Sequence, residues 1–274
     1  MSDFRLIVEA GKTEKIYWRD LWTYRELFFF LAWRDILVRY KQTAIGIAWA
    51  VLRPTLMAVT FSVIFGRLAR LPSDGMPYLV FVYSAMLPWQ FFATSLSDSA
   101  NSLISNANMI SKVYFPRVIM PVSTVVVNLM DFFISFVILL GFMVFTGTPI
   151  TLKLIALLPF LLLAFLAAMG CGLWLAALNV KYRDFRYIVP FIVQFGLYVS
   201  PVIFSSSIIP DRWRWLYAMN PMVSVIDGFR WAVSNGVAPF YWESLAISIL
   251  VTGTIVTAGL FYFRKMEKTF ADVI

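Results

Sequence analysis

Residues 118–146 have the sequence VIMPVSTVVVNLMDFFISFVILLGFMVFT, an apolar run that contains one charged side chain, Asp131. A helix needs about 20 apolar residues to cross the hydrocarbon core of a bilayer, so this run is long enough to span a membrane. Five further stretches have the same character: 44–68, 78–97, 152–179, 188–206 and 242–263. The sequence therefore predicts an all-α membrane protein whose six transmembrane helices form one domain, 43–264.

The composition indicates a chain surrounded by lipid. Hydrophobic residues make up 61% of the 274 positions and charged residues 14%, whereas soluble domains carry about 25% charged residues. The net charge is +8, but the basic residues cluster at the ends of the apolar runs, which argues against nucleic acid as a partner. There is no histidine and a single cysteine, Cys171, so neither an intrachain disulfide nor a metal site is predicted.

The lysines and arginines predict the orientation of the six spans. With the N-terminus in the cytoplasm, 16 of the 23 basic residues fall in cytoplasmic segments and six fall outside, while Arg53 lies within the first span. Cytoplasmic loops are enriched in lysine and arginine, so both termini are predicted to be cytoplasmic. Residues 1–19 lack the apolar core of a signal peptide, and we expect them, like the tail 265–274, to be cytoplasmic.

Residues 20–42 predict a helix that lies in the membrane interface. Their fully apolar part is too short to cross a bilayer. One helical stripe is aromatic and apolar: Trp22, Phe29, Trp33, Ile36 and Tyr40. The opposite side carries Asp35, Arg39 and Gln42, and this separation is typical of an amphipathic interfacial helix. A simple membrane anchor would explain the same pattern.

The loop 98–117 is long for a connection between two spans. Apolar residues recur in it at helical spacing: Ala100, Leu103, Ile104, Ala107 and Ile110. Asparagines and serines lie between them, and Phe115-Pro116 ends the pattern. We predict a short amphipathic helix at about 97–111 on the cytoplasmic side, with a plain connector as the alternative.

The fourth predicted span carries a ladder of small residues at every fourth position: Ala164, Ala168, Gly172 and Ala176. Small residues let another helix approach closely. We expect that helix to belong to the same chain, and a contact with a second subunit is the alternative.

Two charged residues are predicted inside the membrane. Asp131 lies near the middle of the third span, and Arg53 lies in the first span beside Pro54. A carboxylate at this depth costs about 2.5–3.5 kcal/mol on insertion scales, so it must face protein or water. Both spans run in the same direction, and we therefore predict a contact between Arg53 and Asp131. The alternatives are that Arg53 extends to the interface and that Asp131 is protonated or bonded to a serine.

The sequence offers no site for ATP or for acid–base catalysis. Gly11-Lys12-Thr13 resembles the end of a phosphate-binding loop, but position 6, where that pattern needs glycine, is Leu6. Membrane-bound transferases need histidines or paired carboxylates at the membrane face, and the loops contain neither. We predict that the chain is not an enzyme and binds no cofactor itself.

Four segments, in order along the chain, carry a family resemblance: 33–43 (WRDILVRYKQT) with Gly46, Trp49 and Pro54; 106–121 with KVYFPR at 112–117; 178–184 (LNVKYRD) with SPV at 200–202; and NPM at 220–222 with Arg230. Together they resemble the membrane subunits of polysaccharide ABC exporters, the ABC-2 permease family of O-antigen, capsule and teichoic-acid export. The resemblance covers nearly the whole chain from about residue 25.

This resemblance implies the ABC-2, or type V exporter, architecture, a homodimer bound to two cytoplasmic ATPase subunits that hold the ATP and Mg. The interfacial helix would be a gate helix that the lipid diphosphate approaches, through Trp33, Arg34, Asp35, Arg39 and Tyr40. Coupling to the ATPase would involve Asn101, Ser105, Asn106, Lys112, Phe115 and Arg117. Candidates for the wall of a channel between the two copies are Trp49, Tyr83 and Trp89.

The implied function is ATP-driven export of a polysaccharide linked to polyprenyl diphosphate across the cytoplasmic (inner) membrane, with O-antigen as the expected cargo. Arginines of the cytoplasmic rim, including Arg34, Arg39 and Arg117, would attract the diphosphate. An ABC-2 permease for drugs or small lipids is the main alternative and has nearly the same fold. A membrane enzyme or a passive scaffold fits the residues less well.

Overall fold

Helices make up most of the part of the chain that the structure describes, and no strand occurs in that part. The computed structural model describes residues 20–41, 44–182 and 184–270, with no side chains described at 44–50. The α-helices of these residues, in order, are α1 Arg25–Tyr40, α2 Ala44–Phe61, α3 Tyr78–Ser105, α4 Ala107–Ile110, α5 Ile119–Thr146, α6 Leu157–Lys181, α7 Phe185–Val199, α8 Asp211–Tyr217, α9 Pro221–Val233 and α10 Trp242–Glu267. A π-helical segment, Ser62–Leu68, continues α2, and 3-10 helices lie at Leu152–Ala156 and Ser206–Ile208. The predicted segment 1–19 and the end of the predicted tail, 271–274, lie outside the described residues.

Among the described residues, five helical stretches are long and apolar enough to cross a bilayer: Val51–Leu68, Tyr78–Ser105, Ile119–Thr146, Leu152–Lys181 and Trp242–Glu267. Each coincides with a predicted span. The apolar helix α7 is shorter, with 15 residues, or about 22 Å, against a hydrocarbon core of about 30 Å. The prediction of an all-α membrane protein is confirmed.

The predicted span 188–206 differs from the helix found there. α7 begins at Phe185 and ends at Val199, and Ser200 is extended with a ψ angle of 152°. Ser200 precedes Pro201, and the residue before a proline is disfavoured in the helical conformation. The chain then continues as a buried irregular segment that includes Val202. The apolar run is therefore long enough for a span, but it does not form one helix.

α3 forms the centre of the bundle. Most of its residues from Val80 to Ala93 are buried, and α5, α6 and α9 pack around it. The ring of Tyr83 meets Phe142 edge-on with 5.0 Å between ring centroids. Packing along this length fixes α3 in position, so that groups near its ends are held at defined places.

The small residues of α6 permit close helix contacts inside the chain. The alanines of the ladder are fully buried: Ala164, Ala168 and Ala176. A Cβ atom on Gly172 would clash with the side chain of Ser99 in α3. Towards α10, a Cβ on Gly170 would lie 2.9 Å from the backbone of Val256. The expectation that the ladder packs within one chain is confirmed.

α1 lies where the sequence predicts the amphipathic helix, and its two faces differ strongly. Leu31 is 1% exposed and belongs to a hydrophobic cluster with Leu103 and Phe115. The other face exposes Phe29 and Trp33, two rings of the predicted stripe. One face of α1 therefore packs on the bundle, and the other offers aromatic rings to a membrane interface.

The predicted separate helix at 97–111 is not found. α3 runs without interruption to Ser105, and only the four residues Ala107–Ile110 form a second helix. Ala100 and Leu103, expected on that second helix, are buried on α3. They continue the buried face of the span at helical spacing after Leu96, so no change of pattern marks the end of the span.

The bundle has two ends, which we call basal and distal. The basal end carries α4, the loop 111–118 and the last turn of α10. The distal end carries the loop 69–77, the segment 200–220 and α9, whose residues are almost all buried. The hydroxyl of Tyr78 donates to the carbonyl oxygen of Ile203 at 2.8 Å and joins the start of α3 to the segment 200–220.

Candidate functional site between the interfacial helix and the bundle

The end of α1 is fastened to α3 and α5 by charged hydrogen bonds. Arg39 donates to Asp131 Oδ2 of α5 at 2.6 Å and to Asp98 Oδ2 of α3 at 3.0 Å. It also donates to Asn128 Oδ1 at 2.7 Å, and Asn128 donates to Asp98 at 3.1 Å. The Tyr40 hydroxyl donates to Asp131 Oδ1. We call these residues the latch: Arg39, Tyr40, Asp98, Asn128 and Asp131.

Burial and charge keep the donors of the latch protonated. Burial, followed by the hydrogen bond to Asp131, raises the pKa of Tyr40. Burial acts to lower the pKa of Arg39, but the Asp131 and Asp98 carboxylates outweigh it, and this pKa is raised. The side chains of the two ion pairs are nevertheless between 30% and 39% exposed. Water or an anion can therefore reach the latch.

Arg34 is also paired. Its guanidinium lies 2.7 Å from Asp35 and donates to Asn106 Oδ1, just beyond the end of α3, at 3.2 Å. A cavity of about 470 Å³ between α1 and α3 is lined by this pair and by the Arg39–Asp98 pair. The charged residues of the predicted gate helix thus connect it to α3 at Asp98, through Arg39, and to the residue just after α3, Asn106, through Arg34.

Arg53 is not part of the latch but lies next to it, in the crevice that the cavities between α1 and the bundle form together. It borders a cavity of about 210 Å³ with Arg39 and Asp131, and a second cavity of about 540 Å³ that reaches Gln194 of α7. Among the described residues, no carboxylate forms an ion pair with Arg53. The predicted Arg53–Asp131 contact is therefore wrong, because α1 brings Arg39 to Asp131 instead.

The charges of the crevice balance. Three arginines face three aspartates: Arg34, Arg39 and Arg53 against Asp35, Asp98 and Asp131. An anion can bind here either at the exposed Arg53 or by displacing a carboxylate from Arg39. Within the described residues, no group of three or more His, Cys, Asp or Glu side chains is placed to hold a metal ion.

The basal surface has an exposed run at residues 111–114. Two of the predicted coupling residues, Ser105 and Lys112, are exposed at this end of the molecule. Val113 and Tyr114 are 53% and 59% exposed. This surface combines a positive charge with apolar side chains and is open to a partner protein.

The other predicted coupling residues make contacts inside the chain. Asn106 accepts the bond from Arg34, and Phe115 is 3% exposed. Asn101 accepts from Asn179 at 3.2 Å. Arg117 donates to the backbone carbonyl of Glu267 at 2.5 Å, which ties the start of α5 to the end of α10. These contacts give Asn101, Phe115 and Arg117 a role in holding the basal end together.

A second charged cluster, at the distal end, was not predicted from the sequence. Arg230 is 2% exposed. It donates to three backbone carbonyls, those of Phe81, Val202 and Phe204, at 3.3, 3.0 and 3.0 Å. Asp227, one turn earlier on α9, is 4% exposed, and burial raises its pKa to about 6. An aspartate and an arginine three residues apart in the apolar stretch 221–233 are the signal that could have indicated this pair.

Sequence comparison establishes the family. The sequence model of the ABC-2 type transporter family matches residues 26–233. The chain belongs to the ABC-2 type transporter family. The matched range runs from α1 to the end of α9 and so contains the latch, the basal surface and the distal cluster.

Related proteins are named for the export or transport of a polysaccharide. The O-antigen export system permease protein RfbA of Klebsiella pneumoniae is 29% identical over 243 residues, 88% of this chain and 92% of its own. RfbA of Myxococcus xanthus is 29% identical over 258 residues, 93% of this chain and 98% of its own. The polysialic acid transport protein KpsM of Escherichia coli is 24% identical over 244 residues, 86% and 91% of the two chains.

The rings predicted to line a channel are mostly inside this ABC-2 protein. Tyr83 is 1% exposed in the core, so the prediction is wrong for this residue. Trp89 is 6% exposed and borders the cavity of about 540 Å³, with its ring against Gly196 of α7. The side chain of Trp49 lies outside the described residues. Hydropathy does not distinguish a central span such as α3 from a lipid-facing one, because both are apolar.

An exposed aromatic stripe lies instead on α7. Its members are Tyr187, Phe191, Phe195 and Tyr198, exposed by 79%, 65%, 57% and 61%. The rings of Phe191 and Phe195 stack at 5.9 Å with 13° between their planes. Their spacing of four, four and three residues is visible in the sequence and could have indicated the stripe.

Proposed function

We propose that this chain is the transmembrane subunit of an ATP-driven exporter for a polysaccharide linked to polyprenyl diphosphate, with O-antigen as the expected cargo. The observation that carries the proposal is the similarity over 88–93% of the chain to permeases named for O-antigen export. The proposed membrane is the inner membrane. The excess of basic residues at the basal end favours a cytoplasmic position for that end and for both termini.

The energy in this proposal comes from two cytoplasmic ATPase subunits that hold ATP and Mg. We propose that they dock on the basal surface at 111–114, where Lys112, Val113 and Tyr114 are exposed. α3 connects this surface to the latch, because Asp98 lies seven residues before the end of α3 at Ser105, or about 10 Å along the helix. Movement of the basal surface would therefore move Asp98 with it.

The proposed transporter is a homodimer, and exposed faces of α2 and α7 support this. α2 and the π-helical segment that continues it expose a stripe of Leu52, Leu56, Val59 and Val63, and α7 exposes its aromatic stripe. The cavity of about 540 Å³ between α2, α3 and α7 has a partly polar wall, which includes Arg53, Gln90 and Gln194. Polar groups that face lipid are costly, so this wall needs water or protein. We infer that it borders a channel completed by the second copy.

The latch suggests how the cargo opens the entrance. The exposed Arg53 would attract the diphosphate, and phosphate oxygens would then compete with Asp98 and Asp131 for Arg39. Arginine binds phosphate through two parallel hydrogen bonds, so such an exchange is favourable in a partly exposed site. Once Arg39 leaves the two carboxylates, the end of α1 is no longer tied to α3 and α5. The sugar chain would then enter between α1 and the bundle and pass the aromatic rings of α7.

The direct test is deletion of the gene, followed by measurement of lipid-linked glycan inside the cell and of polysaccharide at the surface. Accumulation inside with loss outside, restored by the wild-type gene, supports the proposal and identifies the cargo. Unchanged surface polysaccharide, in a strain with no second exporter, would instead favour a permease for drugs or small lipids.

A further inference from the structure

An apolar groove lies on the basal half of the molecule, away from the latch. It runs between the chain around the start of α1 and the basal parts of α5, α6 and α10, and its volume is about 440 Å³. The wall includes Phe28, Val122, Leu173 and Leu260, and Arg25 is its one charged member. This volume falls within the range of roughly 300–1,000 Å³ typical of small-molecule sites.

Arg25 lies at the mouth of the groove with its side chain exposed. Its guanidinium stands over the ring of Trp22, 5.3 Å from the ring centroid, and Trp22 is 72% exposed. Among the described residues, no carboxylate forms an ion pair with Arg25. The mouth therefore presents an arginine that is free to bind an anion, beside a tryptophan of the kind found at headgroup level.

α5, α6 and α10 border the groove and are among the helices that are long and apolar enough to cross a membrane. On the proposed function the groove would therefore face hydrocarbon. In that surrounding, a lipid tail is the apolar material available to fill it. The positive charge at the mouth favours a lipid whose headgroup is anionic. Zwitterionic lipids offer the same tail but gain less from Arg25.

We propose that this groove binds one acyl chain of an anionic phospholipid from the leaflet at the basal end, with the lipid phosphate on Arg25. The site is separate from the proposed path of the cargo. Arg25 and Arg39 lie on the same helix 14 residues apart, or about 21 Å, and the buried Leu31 lies between them. A lipid held at Arg25 would fix one end of α1 while the latch holds the other. The bound lipid would thus set the position of the gate helix.

The test is native mass spectrometry of the purified full-length protein in detergent with equimolar phosphatidylglycerol and phosphatidylethanolamine. We expect phosphatidylglycerol to be the lipid that survives the highest collision energy. Arg25→Ala should lower the ratio of retained phosphatidylglycerol to phosphatidylethanolamine about fivefold, since a basic residue near an anionic surface contributes about 1 kcal/mol. Arg186→Ala, which removes an exposed arginine from α7, is the matched control and should leave the ratio unchanged.

Filling the groove gives an independent test. Val122→Trp should remove both retained lipids, whereas Arg25→Ala removes only the preference between them. If Val122→Trp does not fold, the melting temperatures of the wild type and of Arg25→Ala are compared instead, with and without phosphatidylglycerol. The lipid should raise the melting temperature of the wild type but not that of Arg25→Ala. Equal ratios in Arg25→Ala and Arg186→Ala would overturn the proposal. Retention of a polyprenyl diphosphate in place of phospholipid would also overturn it and assign the groove to the cargo.

Discussion

Arg39 joins three helices through one guanidinium, so its removal should loosen α1 specifically. The two ion pairs are partly exposed, and we expect Arg39→Ala to cost about 1 kcal/mol of local stability. Hydrogen exchange of the backbone amides at 34–41 should then be roughly fivefold faster. Arg39→Lys should give a smaller effect, because lysine provides a charge but not the fork that reaches both carboxylates.

Arg53→Ala is the control for this prediction, since Arg53 lines the same cavity without an ion pair among the described residues. Exchange at 34–41 should be unchanged in that variant. Equal acceleration in the two alanine variants would mean that the crevice as a whole, and not the latch, holds α1.

The burial of Asp227 predicts that the stability of the fold depends on pH. Its pKa in the folded protein, about 6, is above the ordinary value of 3.8, so the folded state binds the proton more tightly than the unfolded state. Stability should therefore fall as pH rises from about 4 to about 6, by about 3 kcal/mol at full effect. The melting temperature from tryptophan fluorescence should be lower at pH 7.5 than at pH 5. Asp227→Asn should remove this contribution, and the exposed Asp184→Asn should not.

At the scale of elements, α6 and α10 approach each other at a pair of glycines. A Cβ atom on Gly259 would collide with the carbonyl oxygen of Gly170, whereas Gly253, on the same helix, has nothing within 4 Å. We expect Gly259→Ala to destabilise the protein by about 1–3 kcal/mol through overpacking. Gly253→Ala should be neutral or stabilise it by up to about 1 kcal/mol. Melting temperatures of the two variants decide this, and equal values would contradict the close contact.

The continuity of α3 is also testable as an element. If α3 transmits movement from the basal surface to the latch, a flexible break between Gln90 and Asp98 should leave transmission intact, but a break between Asp98 and Ser105 should not. The second break can be made with Asn101→Gly and Ser105→Gly, which cost about 0.5–1 kcal/mol each. These positions are preferred to Ser102, which is 3% exposed and packs inside the bundle. We expect ATP hydrolysis by the assembled complex to persist while export falls. The pair Asn101→Ala and Ser105→Ala controls for the lost side chains, and an equal loss of export in it would reject the transmission.

For the whole molecule, the sequence predicts the features that depend on residues close together in the chain and misses those that depend on contacts between distant residues. Apolar runs and helical stripes are local, so five spans and α1 were predictable. Arg39 and Asp131 are 92 positions apart, and nothing local shows whether Arg39 or Arg53 reaches that carboxylate. Burial of Tyr83 depends in the same way on which span is central. The break after Val199 was missed because the apolar composition continues past the proline that ends the helix.

The proposed dimer places α2 of one copy against the second copy, and cross-linking can test this interface. In a Cys171→Ala background, cysteines at Leu56 and Val59 of α2 should give a cross-linked dimer with a short thiol reagent, because these exposed side chains lie on the proposed interface. Leu162→Cys on α6 and Phe261→Cys on α10 are controls, since they are 57% and 72% exposed and lie on helices assigned to lipid. Cross-links at the α2 positions alone would support a channel between the two copies. Cross-links at α6 or α10 in their place would move the interface to the opposite helices, and the polar wall beside Arg53 would then need another explanation.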